Sequence, residues 1–125
     1  YEMLNKVYIQ SFDYRTLKEF KKLHSNATLV ALFEGNTVDY VYTAKSISAA
    51  IVSPNHEWID KNEVNKIRSN GIRVVPWTVN DKDAINRLLD FNVDGIISDD
   101  PLLVKETLSS KVTQGFINRS ITDFF

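Results

Sequence analysis

The stretch RVVPWTVND, residues 73–81, decides the fold of this chain. Val74 and Val75 are apolar and β-branched, as in a strand that is covered on both faces. Pro76 and Trp77 follow, Thr78 and Asn80 are polar, and Asp81 is placed to cap a helix. A strand, a polar turn and a helix in this order form one βα unit. Because Trp77 stands where the strand ends, we predict that its ring walls a ligand cleft.

The same alternation of strand and helix recurs along the chain. Runs of β-branched and aromatic residues predict five strands, over residues 6–12, 28–33, 49–52, 72–79 and 93–98. Helices are predicted between them, over residues 15–24, within 38–48, from 61 to 68, after Asp81, and over 101–108. Parallel neighbours need crossover connections, and helices supply them, so the pattern predicts an α/β fold with a parallel sheet.

The predicted helices carry their own start and stop signals. Asp13 and Asp60 are placed as N-caps, and Asn70-Gly71 is placed to end the helix before it. In the first helix, Leu17, Phe20 and Leu23 recur every three residues and predict an inward stripe. We assign residues 1–109 to the domain and residues 110–125 to a C-terminal extension or a docked helix.

Composition excludes several classes of function. The chain has 125 residues, 43% of them hydrophobic and 25% charged, which is typical of one small globular domain. It has no apolar run long enough to span a bilayer. A net charge of −1 gives no global attraction to nucleic acid, so no nucleic-acid partner is expected. The absence of cysteine excludes disulfides, thiol nucleophiles and Cys-ligated zinc.

Candidate site residues are those at the carboxyl ends of the strands, where parallel α/β folds bind ligands. We predict substrate contacts for Trp77, Gln10, Ser11 and Asn80. Each has a structural alternative: Trp77 could pack under loops, Gln10 and Ser11 could be a polar pair of the sheet interior, and Asn80 could cap a helix.

Carboxylates and one aromatic ring also stand at these strand ends. Glu34, Asp99 and Asp100 are considered as metal ligands, but capping explains Asp100 better, since Pro101 follows it. Phe12 is assigned to the core.

Three motifs, in this order, carry a resemblance to a known family. VYIQSFD (residues 7–13), VVPWTVND (74–81) and VDGIISDDP (93–101) resemble the second half of the glycerophosphodiester phosphodiesterase family. The resemblance covers residues 7–108. It implies a partial TIM (β/α)₈ barrel of the phosphatidylinositol phospholipase C-like type, with about five of the eight βα units.

The resemblance also implies an activity and shows what this chain lacks. The family cleaves a glycerophosphodiester to glycerol 3-phosphate and an alcohol, using a divalent metal (Ca or Mg) and two histidines. Its His-Arg-Gly, Glu-x-Asp and His-Asp motifs are absent here, no Glu-x-Lys stands at the end of a predicted strand, and His24 and His56 match none of these motifs. We therefore expect the C-terminal part of a longer enzyme, with no catalytic or metal-binding residue of its own and no activity alone.

Two other functions stay open at this point. One is a different phosphodiesterase of the same barrel, phospholipase-like or sphingomyelinase-like. The other is a non-catalytic half-barrel that acts in assembly. In either case a piece of a barrel leaves two apolar sheet edges, at residues 7–12 and 93–98. Such edges promote association, so we expect self-association or pairing with the missing part of the barrel.

Overall fold

The computed structural model of the protein describes residues 8–34, 39–113 and 123–124. The strands within these ranges are β1 Tyr8–Ser11, β2 Thr28–Phe33, β3 Ile51–Pro54, β4 Arg73–Val74, β5 Gly95–Ile96 and β6 Asp123–Phe124. The α-helices are α1 Tyr14–Leu23, α2 Tyr40–Ser46, α3 Lys61–Ser69, α4 Lys82–Asp90 and α5 Pro101–Thr113. A short 3₁₀ helix, His56–Trp58, lies between β3 and α3.

The strands pair in chain order, and every pair is parallel. The four-stranded sheet has the order β1-β2-β3-β4, and β5 pairs with β6. Backbone hydrogen bonds connect β4 to β5: the Asp94 amide donates to the Val74 carbonyl and the Ile97 amide to the Pro76 carbonyl, both over 2.9 Å. This confirms the predicted parallel α/β fold, and the sequential strand order is that of a barrel wall.

The sheet has two apolar faces, as a barrel wall requires. One face packs against the helices through a core of buried residues from strands and helices, including Leu29, Phe33, Val52, Val74, Leu17, Val64, Ile85 and Leu88. The opposite face carries a smaller buried cluster of Val30, Ile51 and Val75, with Tyr8 and Ile97 packed against it. Since side chains alternate along a strand, both faces are built by the same near-continuous apolar runs.

Aspartates begin the helices. Asp13, Asp60 and Asp81 each accept a hydrogen bond from a first-turn backbone N–H, as predicted. Asp39 caps α2 and Asp100 caps α5 in the same manner. Gly71 has a φ of +77°, which confirms that Asn70-Gly71 ends α3. Helices run back from the carboxyl ends of the strands, so these carboxylates all lie on one rim of the sheet.

Several boundaries and orientations differ from the sequence prediction. Leu23 is 77% exposed, although its stripe partner Leu17 is buried, because six residues at 3.6 per turn place Leu23 about 120° around α1 from Leu17. Strand pairing over residues 72–79 and 93–98 covers only β4 and β5, with an isolated bridge between Asn55 and Trp77. The edge at β5 is not free, since Asp123–Phe124 pairs with it.

The predicted C-terminal extension is described only in part. Helix α5 continues to Thr113, five residues further than the residues 101–108 predicted for it, and β6 was not predicted. The remainder of residues 110–125, like residues 6–7 of the first predicted strand and residue 38, lies outside the described residues. In the described ranges, no helix is long and apolar enough to cross a membrane.

Candidate functional site

The candidate site is the rim formed by the carboxyl ends of the strands. The sheet is curved, so residues from its two outer strands meet at this rim. Flat neighbouring strands lie about 4.8 Å apart, so β1 and β4 would be roughly 14 Å apart. Nevertheless the rings of Phe12, after β1, and Trp77, after β4, meet with centroids 6.0 Å apart. At the opposite end of the same strands, the Arg73 guanidinium carbon lies 5.8 Å from the centroid of the Tyr8 ring. The sheet is therefore concave on the face away from the helices.

Trp77 is held at this rim by backbone groups of the two preceding strands. Its indole Nε1–H donates to the carbonyls of Phe33 (3.2 Å) and Ser53 (2.9 Å), at the ends of β2 and β3. Its own backbone N–H donates to the Pro54 carbonyl over 3.0 Å. The ring therefore cannot turn without breaking hydrogen bonds, which makes it a rigid half-buried wall.

Gln10 and Ser11 lie on β1 and face opposite sides of it. Gln10 is exposed and shares the concave face with Tyr8. Ser11 shares the other face with Ile9, and its Oγ accepts a hydrogen bond from the Asp13 amide over 2.9 Å. Gln10 therefore lies on the side of the sheet that Trp77 borders, and the Ser11 hydroxyl supports the turn into α1.

Asn80 connects the rim ends that follow β4 and β5. Its Oδ1 accepts hydrogen bonds from the Asp99 amide (3.0 Å) and from the Ser98 hydroxyl (3.2 Å). Its Nδ2 donates to Asp99 Oδ2 over 3.0 Å. The alternative role of Asn80, as a cap of α4, is not the one observed, because Asp81 makes the cap to the Ala84 amide. Asn80 instead holds two neighbouring strand ends together.

The carboxylates of the rim do not form a metal centre. Asp99 bonds Asn80, Asp100 caps α5, and Glu34 is exposed. No group of three or more His, Cys, Asp or Glu side chains converges anywhere in the part of the chain that the structure describes. The resemblance implies a divalent metal, but these residues do not fit a bound cation, so we assign no step to one here.

The two histidines have structural contacts. His24 ends α1, with its ring 4.9 Å from that of Phe20. His56, in the 3₁₀ helix, receives hydrogen bonds from Arg87 Nη2 at both its Nδ1 and its carbonyl oxygen, each 3.0 Å long. Burial lowers the pKa of His56, and the Arg87 charge lowers it further. Sequence reasoning missed the Arg87 contact, since the two residues are 31 positions apart.

Phe12 was assigned to the core, and this is wrong. Its side chain is 53% exposed, and its ring stands at the rim against Trp77. An aromatic residue directly after a strand was the available signal, because the same reasoning had placed Trp77 at the rim. Phe12 therefore joins the predicted wall of the cleft.

Comparison with known proteins identifies relatives. Residues 3–103 match the model of the glycerophosphoryl diester phosphodiesterase family. A glycerophosphodiester phosphodiesterase from Caldanaerobacter subterraneus subsp. tengcongensis is 31% identical over 92% of this chain and 46% of its own length. The chain spans less than half the length of the curated relatives it matches.

Solved structures share the fold. A candidate glycerophosphoryl diester phosphodiesterase from Silicibacter pomeroyi DSS-3 superimposes with a TM-score of 0.82 at 22% identity, over 92% of this chain and 41% of that one. A phosphodiesterase from Oleispira antarctica, in complex with the product sn-glycerol-3-phosphate, gives 0.76 at 20% identity, over 82% of this chain and 41% of that one. These likenesses confirm the partial (β/α)₈ barrel.

Proposed function

Because the chain belongs to the glycerophosphoryl diester phosphodiesterase family, we propose that it is part of an enzyme that hydrolyses glycerophosphodiesters to glycerol 3-phosphate and an alcohol. The observation that carries this proposal is the rigid aromatic pair at the carboxyl rim of the sheet, Phe12 against Trp77. Ligands of parallel α/β folds bind at this rim. The product complex of the Oleispira antarctica phosphodiesterase, which shares the fold, supports a phosphodiester substrate.

In this proposal the chain supplies a wall of the substrate cleft. The rings of Trp77 and Phe12 offer a flat apolar surface to the carbon skeleton of the substrate, and a wall that is already ordered loses little entropy on binding. The exposed amide of Gln10, on the concave face, can donate to and accept from hydroxyl groups. Asn80 and Ser11 contribute mainly by holding the rim, through their bonds to Asp99 and Asp13.

The remainder of the reaction is assigned to another part of a longer protein. A general acid and a general base must reach the leaving and attacking oxygens, and metal-binding carboxylates must surround the phosphoryl group. Neither histidine suits the first role, since His24 stacks on Phe20 and His56 is engaged by Arg87. We propose that the part of the relatives' length that this chain does not span supplies these groups.

The proposal also assigns a partner to the exposed edge of the sheet. Within the described ranges β1 pairs on one side alone, with β2. Beside it, α1 carries an open groove in which Phe20 and Leu23 lie among the polar side chains of Asp13, Arg15, Thr16, Lys18 and Glu19. Unpaired strand edges and exposed apolar side chains of this kind pair with another element. We assign the edge at β1 and the groove of α1 to contacts with the missing part of the barrel. Where that part is absent, we assign them to contacts with a second copy of this chain.

Two measurements test the proposed function. The purified 125-residue chain, with glycerophosphocholine and Ca²⁺ or Mg²⁺, is expected to release no glycerol 3-phosphate. In a longer protein that contains the chain and is active, Trp77→Ala is expected to raise KM or lower kcat while metal affinity stays nearly unchanged. Turnover by the chain alone would refute the division of roles, and a tenfold loss of metal affinity in the variant would refute the role of Trp77.

A further inference from the structure

We propose that Arg87 is a positioning residue for the Trp77 rim. It acts through its two hydrogen bonds to His56, here called the latch, which break when the imidazole is protonated. The latch joins helix α4 to the loop that follows β3. It concerns the shape of the rim, so it holds whether or not the rim binds a glycerophosphodiester. The proposal stands on a continuous series of contacts from α4 to the backbone of Trp77.

The first contacts of the series lie between α4 and the 3₁₀ helix. Arg87 Nη2 reaches both the ring Nδ1 and the carbonyl oxygen of His56, each over 3.0 Å. The guanidinium carbon also lies 5.3 Å from the centroid of the Phe91 ring, one helical turn further on. Stacking on Phe91 limits where the guanidinium can go. The guanidinium is therefore held against its own helix by Phe91 while it donates hydrogen bonds to His56 in the loop.

The next contacts run from His56 to Trp77. The His56 amide donates to the Trp77 carbonyl over 3.0 Å, and the Trp77 amide donates to the Pro54 carbonyl over 3.0 Å. Asn55 and Trp77 form the bridge between these two bonds. These bonds are the last ones of the ladder that begins where Ile51 pairs with Arg73, and the end of a ladder separates more easily than its middle. Arg87 binds His56, the residue whose amide makes the last of these bonds to Trp77.

The latch requires a neutral imidazole. A guanidinium has only donors, so Nδ1 of His56 must be the acceptor and the ring proton must be on Nε2. A second proton on the ring would remove the acceptor and place two positive charges in contact. The charged groups around the ring are Arg87 on α4, Asp81 at the N-cap of α4 and Glu57 in the 3₁₀ helix. The two carboxylates favour the charged ring, but burial and Arg87 favour the neutral ring.

Acidification is expected to weaken the latch. Burial, with Arg87, holds the pKa of folded His56 below the ordinary value of 6.5. The unfolded chain therefore binds a proton more readily than the folded chain does. The contribution of the latch to stability is complete above about pH 6.5 and is lost as the pH falls through the folded pKa. We expect the end of β3 to separate from Trp77 over this range.

Fluorescence of the full 125-residue chain tests the latch. The chain has two tryptophans, so Trp58→Phe leaves Trp77 as the single indole, and the exposed Trp58 side chain tolerates the change. Emission and acrylamide quenching are measured from about pH 7.5 to about pH 5, with far-UV circular dichroism as a check on folding. We expect a red shift and a rise in the quenching constant on acidification. No change above the acid unfolding of the whole chain would refute the proposal.

Three variants in the Trp58→Phe background separate the latch from general acid effects. His56→Asn keeps an acceptor near the position of Nδ1 but cannot titrate, so the acid-induced change is expected to disappear. His24→Asn removes the other histidine and is expected to titrate as the parent does. Arg87→Gln is expected to show, already at neutral pH, the red-shifted and more quenched emission that the parent shows in acid.

The two histidine variants and Arg87→Gln show whether the latch exists. Loss of the transition in His56→Asn, with its retention in His24→Asn, supports the latch. An unchanged transition midpoint in His56→Asn would overturn it. Parent-like emission and quenching of Arg87→Gln at neutral pH would overturn the role of Arg87. Should Arg87→Gln fail to fold, the comparison of the two histidine variants is sufficient by itself.

Discussion

The rings of Phe12 and Trp77 meet edge to face, with centroids 6.0 Å apart and planes at 84°, although the strands that carry them are the outermost two of a four-stranded sheet. This geometry is favourable for aromatic pairs, because the positive edge of one ring faces the negative face of the other. The contact also fits a sheet that curves toward these rings. A barrel wall, rather than a flat sheet, is what brings the two rings into one site.

Trp77 is expected to stabilise the fold through its indole N–H as well as its ring. Trp77→Phe keeps an aromatic ring beside Phe12 but removes the donor to the carbonyls of Phe33 and Ser53. We expect it to lower the free energy of unfolding in urea by about 1–2 kcal/mol. Trp77→Ala is expected to cost more, because the packing of the ring is lost as well.

Trp58→Phe is the matched control for these variants. Trp58 is 50% exposed, so its substitution is expected to change the free energy of unfolding by less than about 0.5 kcal/mol. Equal losses for Trp77→Phe and Trp58→Phe would contradict the anchoring role of the Trp77 N–H.

Ser53 is expected to contribute a buried hydrogen bond on the concave side of β3. Its side chain is fully buried, and its Oγ donates to the Val75 carbonyl. Ser53→Ala leaves that carbonyl without this donor, so a loss of about 0.5–1.5 kcal/mol is expected in urea unfolding. Ser46→Ala removes an exposed hydroxyl that bonds the Thr43 carbonyl, and little change is expected. A loss as large in Ser46→Ala would show that the contribution of Ser53 is not due to burial.

Asp94 is expected to hold β4 to the start of β5. Its Oδ2 accepts from the Val74 amide over 2.9 Å, and its Oδ1 lies 3.3 Å from Arg68 Nε. Asp94→Ala removes an acceptor from a partly buried N–H, with an expected cost of about 1–3 kcal/mol. Asp94→Asn keeps an acceptor oxygen for Val74 and is expected to cost less. Hydrogen exchange at the Val74 amide provides the direct measurement, and unchanged protection in Asp94→Ala would contradict this role.

Association of the chain is expected to depend on α1 and the edge at β1. Light scattering over a dilution series should give an apparent mass that falls with concentration. Leu23→Lys places a charge in the groove of α1, where Leu23 is exposed, and should shift the chain toward the monomer. Leu102→Lys charges another exposed leucine and is the control. A monomer at every concentration would exclude self-association and leave only the proposed pairing with another part of a longer protein.

Features that depend on neighbours in the chain could be read from the sequence. The order of strands and helices, the parallel sheet and the caps at Asp13, Asp60 and Asp81 follow from apolar patterns and from side chains that bond their own backbone three residues on. The place of Trp77 at the rim follows as well, because a strand that ends in a polar turn must deliver its last side chain to the carboxyl end of the sheet.

Features that depend on contacts between distant residues were decided by the tertiary structure alone. Asn80 bonds Asp99, 19 positions away, and Arg87 bonds His56, 31 positions away, so no local pattern announces either contact. The exposure of Phe12 and Leu23 was also missed, because an apolar residue records a tendency to be buried but not which surface covers it. Curvature and strand neighbours decide that, and they arise only when the strands have assembled into the curved sheet.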